Sequence, residues 1–237
     1  MPQQHFEFKQ FTIKQDRCAM KVGTDAVLLG AWVDTGNSEK ILDIGSGTGI
    51  LALMLAQKSN AQIDGIDIDE NAFLQASENV NNCLWRDRIN IFHISLQEFA
   101  IDQKAAYSLI VSNPPYFIDS SKANAESRTA ARHTDSLSFQ ELISCVETML
   151  SYDGRFCVIL PTKEAEIFVQ LACSKSFNLT KILRVKTRAE KSEKRCLMQF
   201  ERIPVKLDDK SIVIEVGDRH EYSEDYKQLT KDYYLAF

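Results

Sequence analysis

The chain has 237 residues, of which 44% are hydrophobic and 26% charged, with a formal net charge of −5. That length buries a substantial core and predicts one domain over residues 1–237, with 1–35 as an N-terminal cap and 204–237 as a C-terminal edge segment. The longest wholly apolar run, Ile50 to Ala56, is too short to span a bilayer, and Met1 to Phe11 lacks the pattern of a secretion signal, so no membrane partner and a cytoplasmic location are expected.

Apolar runs and helix-period segments alternate along the chain. Lys40 to Ile44 reads as a buried strand and Ile50 to Lys58 as the helix after it. Gln62 to Ile68 is a second strand, followed by a helix from Glu70 to about Asn82 with Ala72, Phe73, Ala76 and Val80 on one face. Arg88 to Ile94 and Tyr107 to Ser112 are the third and fourth strands. A long polar stretch, Asp119 to Ser136, precedes a helix from Phe139 to Leu150. Gly154 to Leu160 is a fifth strand stopped by Pro161, and a helix follows from Lys163 to about Ser174.

The two β-rich segments near Leu179 to Lys186 and Cys196 to Ile203 are too close for a crossover helix, so the last strand is expected to run antiparallel. The fold class is α/β: a doubly wound, mostly parallel seven-stranded sheet with helices on both faces, Rossmann-like. Ser211 to Val216 offers a further edge strand, and the aromatic tail Glu221 to Phe237 reads as a docked terminal segment.

Six cysteines stand singly and four histidines are dispersed. No C-x-x-C or Cys/His cluster suggests a metal, and none is expected. His93, within an apolar run, reads as a satisfied strand-end residue. Charge is uneven: Lys175 to Lys206 holds ten basic and three acidic residues, a local charge of +7 that leaves −12 on the rest. Such a run is either a solvated loop or a phosphate-binding surface. The candidates for phosphate contact are Lys186, Arg188, Lys191, Lys194 and Arg195, expected near the sheet edge and away from any small ligand the sheet binds, with Arg128 and Arg132 as further candidates for contact with a nucleic acid.

The motifs with most chemical content lie at predicted strand ends. Asp43-Ile44-Gly45-Ser46-Gly47-Thr48-Gly49 follows the first strand and opens into a helix. Its glycines let a ligand approach the backbone, and the helix amino terminus offers free N–H groups. The spacing G-x-G-x-G differs from the G-x-G-x-x-G of dinucleotide loops. Asp43 would repel a pyrophosphate and attract an ammonium, so the implied ligand is cationic at that end. Asp67 ends the second strand, where an acid accepts hydrogen bonds from ribose hydroxyls; Asp69 competes for that role. Asn113-Pro114-Pro115-Tyr116 ends the fourth strand. There the Asn113 side-chain oxygen and the Pro114 carbonyl can converge on one amino group while Tyr116 offers a ring for stacking.

Together these motifs resemble the amino-group methyltransferases of the class I S-adenosylmethionine fold, a group that includes adenine-N6, guanine-N2 and glutamine-amide methylating enzymes. Met20 to Trp32, Arg128 to His133 and Tyr222 to Phe237 narrow the resemblance to the bacterial enzymes that methylate N6 of adenine 37 beside the anticodon of valine tRNA. That resemblance covers nearly the whole chain. It implies S-adenosylmethionine as cofactor and tRNA as partner, with Asn113, Pro114, Pro115 and Tyr116 catalytic. Asp43, Gly45, Ser46, Gly47, Gly49, Asp67, Ile68, Ser95, Leu96 and Thr24 would bind the cofactor. Thr24, read as an N-cap, and Asp25 would begin a helix that closes over the pocket. Many class I enzymes carry an acid after the third strand for the cofactor's adenine; here Ser95 stands there, and a weaker or water-mediated contact is expected. A monomer is expected. The alternatives are a glutamine-N5 protein methyltransferase, an rRNA guanine-N2 methyltransferase and a non-catalytic RNA-binding module.

Overall fold

The computed structural model describes residues 4–18, 20–115, 137–218 and 220–237. Tyr116, Arg128 and Arg132 lie outside these residues. An N-terminal hairpin, β1 (His5–Glu7) and β2 (Thr12–Lys14), leads to helix α1 (Thr24–Trp32). There follow β3 (Lys40–Ile44), α2 (Ile50–Lys58), β4 (Gln62–Asp67), α3 (Glu70–Asn81), β5 (Ile89–His93), α4 (Leu96–Ala100) and β6 (Tyr107–Ser112). The chain then continues through α5 (Phe139–Met149), β7 (Leu150–Pro161), α6 (Thr162–Ser174), β8 (Asn178–Arg188), β9 (Glu193–Glu201), β10 (Asp208–Glu215) and α7 (Glu224–Thr230).

The main sheet has the order β10-β8-β9-β7-β6-β3-β4-β5. It is parallel except for β9, which pairs antiparallel with both β7 and β8. The expected antiparallel strand is therefore present, but the sheet has eight strands instead of seven. The extra one is β10, which adds in parallel to β8 and supplies partners for backbone groups that β8 would otherwise leave at an edge.

The side chains of the central strands alternate between two cores, as a sheet buried on both faces requires. Leu109, Val111, Cys157, Ile159 and Leu197 join α1 and α2 on one side. Ile110, Val158, Leu160 and Met198 join α4, α5 and α6 on the other.

Helix α1 is fixed at its carboxyl end by Lys58 of α2. The Lys58 ammonium donates to the carbonyls of Gly30 at 2.6 Å, Ala31 at 3.1 Å and Val33, where a cation meets the negative end of the helix. Burial pushes the Lys58 pKa down to about 8. The tail docks on α2 and the N-terminal hairpin: the Tyr233 hydroxyl donates to the Met54 carbonyl at 3.2 Å, and the Lys9 N–H donates to the Tyr233 carbonyl at 2.9 Å. The Tyr234 ring stacks against Phe8, centroids 6.0 Å apart.

Candidate active site

All parallel strands end at one edge of the sheet, and the chain leaves β3 toward β4 on one side while β6 lies on the other. Such a switch point opens a crevice for a ligand. Gly45 to Gly49 follow β3, Asp67 closes β4, and Asn113-Pro114-Pro115 follow β6, so the three predicted motifs meet there.

The loop needs glycine for two different reasons. Gly45 and Gly47 have φ of 75° and 55°, and a Cβ on either would meet nothing within 4 Å, so open space lies where side chains would stand. Gly49, with φ 81°, is the N-cap of α2, and a Cβ there would sit 3.3 Å from the Ala76 Cβ. It lets α3 pack closely. The Gly45 and Ser46 N–H groups donate to the Ile66 carbonyl at 2.9 and 3.0 Å, which ties the loop to β4.

Asp43 is fully buried, and neither carboxylate oxygen has a hydrogen-bond partner among the described residues, although the Ala52 N–H approaches closely enough to favour the charged form. Burial first and the Asp67 charge second raise its pKa from 3.8 to about 7. The buried Ser46 hydroxyl likewise lacks a partner there. An unpaired buried carboxylate is costly, and a ligand ammonium would satisfy it.

Asp67 accepts from the Gly47 N–H at 2.8 Å through one oxygen and from the Asp69 N–H at 3.0 Å through the other. Each oxygen keeps a lone pair for a ribose hydroxyl. Burial raises its pKa against these bonds. The competing Asp69 caps α3, accepting from the Ala72 N–H at 2.8 Å, which leaves Asp67 as the better ribose acceptor. The half-exposed Ile68 adds apolar surface beside it.

Two local expectations change, and Ser95 has a task besides the one expected. The N-cap of α1 is Gly23, with no side-chain cap; Thr24 is the first helical residue, and its extended neighbour supplies the cap geometry instead. Ser95 forms a reciprocal capping box at the start of α4, donating to the Glu98 carboxylate at 2.6 Å and accepting from the Glu98 N–H at 3.2 Å. That commits its proton to the helix, while Leu96 is buried in the core. The basic hairpin between β8 and β9 is not remote from the cofactor edge. Arg195 pairs with Pro161, the residue that ends β7, and with Val185, so the hairpin projects from the same edge as Asn113.

Within that hairpin Arg195 is engaged with Asp25 at the start of α1, Nε to Oδ2 2.7 Å, and Arg188 with Glu215 at 3.4 Å. Lys186, Lys191 and Lys194 have no ion-pair partner among the described residues. His93 is satisfied at the strand end, its Nε2 lying 3.0 Å from the Ile68 carbonyl and its ring stacked on Phe73. A cavity of about 590 Å³ lies elsewhere, lined by Trp32, Lys181, Gln199 and Leu229 among others. It touches none of the strand-end motifs.

An open glycine cradle over an unpaired carboxylate, an acid at the next strand end and Asn-Pro-Pro at the end of the strand beside them define a class I S-adenosylmethionine-dependent methyltransferase. Residues 18–163 match the methyltransferase small domain family. The chain is 43% identical over 236 residues to the tRNA1(Val) (adenine(37)-N6)-methyltransferase of Parabacteroides distasonis, covering 99% of each chain. It is 47% identical over 232 residues to the enzyme of that name from Flavobacterium psychrophilum, covering 97% of this chain and 99% of that one. The chain belongs to this family. The fold is also similar to that of a predicted O-methyltransferase from Agrobacterium tumefaciens, with a TM-score of 0.70 at 16% identity, covering 88% of this chain and 96% of the other.

Proposed function

We propose that the protein transfers a methyl group from S-adenosylmethionine to N6 of adenine 37 in valine tRNA, as the names of its relatives describe for them. The observation that carries this reading is the position of Asn113-Pro114-Pro115 at the end of β6, in the strand next to the glycine loop. The bound cofactor supplies an electrophilic methyl group on a sulfonium. The chain's task is then to present a nitrogen whose lone pair is delocalised into a ring. Asn113 and the Pro114 carbonyl accept the two amino hydrogens, which favours a pyramidal nitrogen with its lone pair directed at the methyl carbon. No strong base is needed, because the alkylated nitrogen is acidic and sheds its proton readily. Tyr116 provides the stacking ring, and adenine in a single-stranded loop flips at lower cost than in a duplex.

The substrate's phosphates meet the β8–β9 hairpin in this reading. Three strand spacings separate β8 from β6, roughly 14 Å, a separation that lets one RNA loop reach both. The test is to incubate unmodified bulk tRNA with cofactor and enzyme and to analyse the nucleosides by mass spectrometry. N6-methyladenosine is expected. Methylguanosine, or methyl transfer to protein glutamine alone, would replace this reading with one of its rivals.

A further inference from the structure

Helix α3 carries two buried amides one turn apart, Gln75 and Asn79, 0% and 2% exposed. The Asn79 amide makes three hydrogen bonds. Its nitrogen donates to the Thr48 carbonyl and to the Lys14 carbonyl, both at 2.9 Å, and its oxygen accepts from the Lys14 N–H at 2.8 Å. Thr48 stands between Gly47, whose N–H is held by Asp67, and Gly49, the cap of α2. One side chain therefore joins the glycine loop to the end of β2.

The same helix face holds the next residues of that segment. Gln75 accepts from the Arg17 N–H at 2.9 Å, and Gln15 closes the segment on itself by accepting from the Val22 N–H at 2.8 Å. Cys18, buried in the same segment, has its thiol pushed up to about 11 by burial, with the charges of Asp67 and Asp69 adding to the shift.

We infer that Asn79 is a positioning residue for the cofactor, fixing Thr48 of the glycine loop and Lys14 together so that the segment from Lys14 to Cys18 walls the pocket beside that loop. This rests on the reading that S-adenosylmethionine occupies the glycine loop. The role needs an amide. Alanine leaves the Thr48 and Lys14 carbonyls without their donor, and aspartate keeps the volume but cannot donate.

The test compares Asn79→Ala and Asn79→Asp with wild type by calorimetry with S-adenosylhomocysteine and by turnover at saturating cofactor. Both variants should weaken cofactor binding by about tenfold or more, with turnover at saturation within about threefold and the KM for tRNA unchanged. Reduced thermal stability with unchanged cofactor affinity would mean a merely structural residue and overturn the inference. Should these variants not fold, Gln75→Leu, which cuts the Arg17 tie and the long bond to Glu78 but leaves the Thr48 and Lys14 ties, should weaken binding in the same direction by about twofold to fivefold. In wild type, S-adenosylhomocysteine should slow amide exchange at Lys14 and Arg17 together with Gly47. Protection at Gly47 alone would show that the segment is no part of the pocket. A wild-type protein that binds no cofactor would instead defeat the underlying functional reading.

Discussion

The two halves of the carboxyl edge are built in opposite ways. Around the glycine loop the polar groups are bonded to one another: Asp67 to Gly47, Gly45 and Ser46 to Ile66, Asn79 to Thr48, with the buried Asp43 carboxylate left over. On the β8–β9 hairpin, Lys186, Lys191 and Lys194 carry charge without ion-pair partners among the described residues. A rigid cradle with one uncompensated charge selects a small molecule of opposite charge and fixed shape. A set of uncommitted cations attracts a polyanion and reads little of its sequence. In the proposed reading the contrast means that cofactor and nucleic acid are held by separable devices, with Asn113 and Pro114 between them.

Under that division the largest effect comes from Asn113. Asn113→Ala should reduce turnover by about two orders of magnitude or more while S-adenosylhomocysteine binds as in wild type, because the lost interaction acts in the transition state. Loss of turnover accompanied by equal loss of cofactor affinity would erase the boundary between the halves.

Asp43 comes next. In the free protein its pKa of about 7 lies above the ordinary 3.8, so below neutrality a proton competes with the ligand ammonium. Cofactor affinity should fall with pH below 7, approaching about tenfold per pH unit, and Asp43→Asn should abolish that dependence. The folded state also binds the extra proton between pH 4 and 7, so Asp43 lowers stability as pH rises through that window. In denaturant unfolding at pH 8, the Asp43→Asn variant should therefore be more stable than wild type by about 1–3 kcal/mol, while binding cofactor less well.

Asp67→Ala should lose about 1–3 kcal/mol of cofactor affinity through unmade ribose bonds, and calorimetry reads it directly. The smallest and most diffuse effect belongs to the hairpin. Replacing Lys186, Lys191 and Lys194 together by alanine should weaken tRNA binding and reduce the slope of log K against log salt by roughly 0.7 to 0.9 for each phosphate no longer neutralised, leaving cofactor affinity unchanged. An unaltered slope would return the hairpin to a solvated loop. Arg195 belongs outside this set, since its guanidinium already holds Asp25.

Much of this edge is legible in the sequence because strands there are bounded by hard signals. Lys40–Ile44 and Tyr107–Ser112 end at a glycine loop and at Asn-Pro, and both strands stop where read. The strand after α5 starts earlier than its glycine suggests, at Leu150, because the helix passes directly into it. Strands of three residues and a five-residue helix have too few positions to show a period, so β1, β2 and α4 escape periodicity. Ser95 did carry a readable signal: Ser95 and Glu98 have capping-box spacing, which points to a helix start before any adenine contact. The Gln75 and Asn79 bonds could not be read, because they join positions 58 and 65 residues apart, and an amide on a helix looks the same in sequence whether it faces solvent or a buried backbone. The edge position of the basic hairpin follows from strand order, which local pattern does not determine.

The most direct test of the whole account is methyl transfer to defined transcripts of valine tRNA, with adenine or guanine at position 37 and the product located by fragment mass spectrometry. The account predicts one methyl group per adenine transcript, at position 37 as N6-methyladenosine, and none on the guanine transcript. Methylation that persists on the guanine transcript, or that maps to another nucleotide, would contradict it.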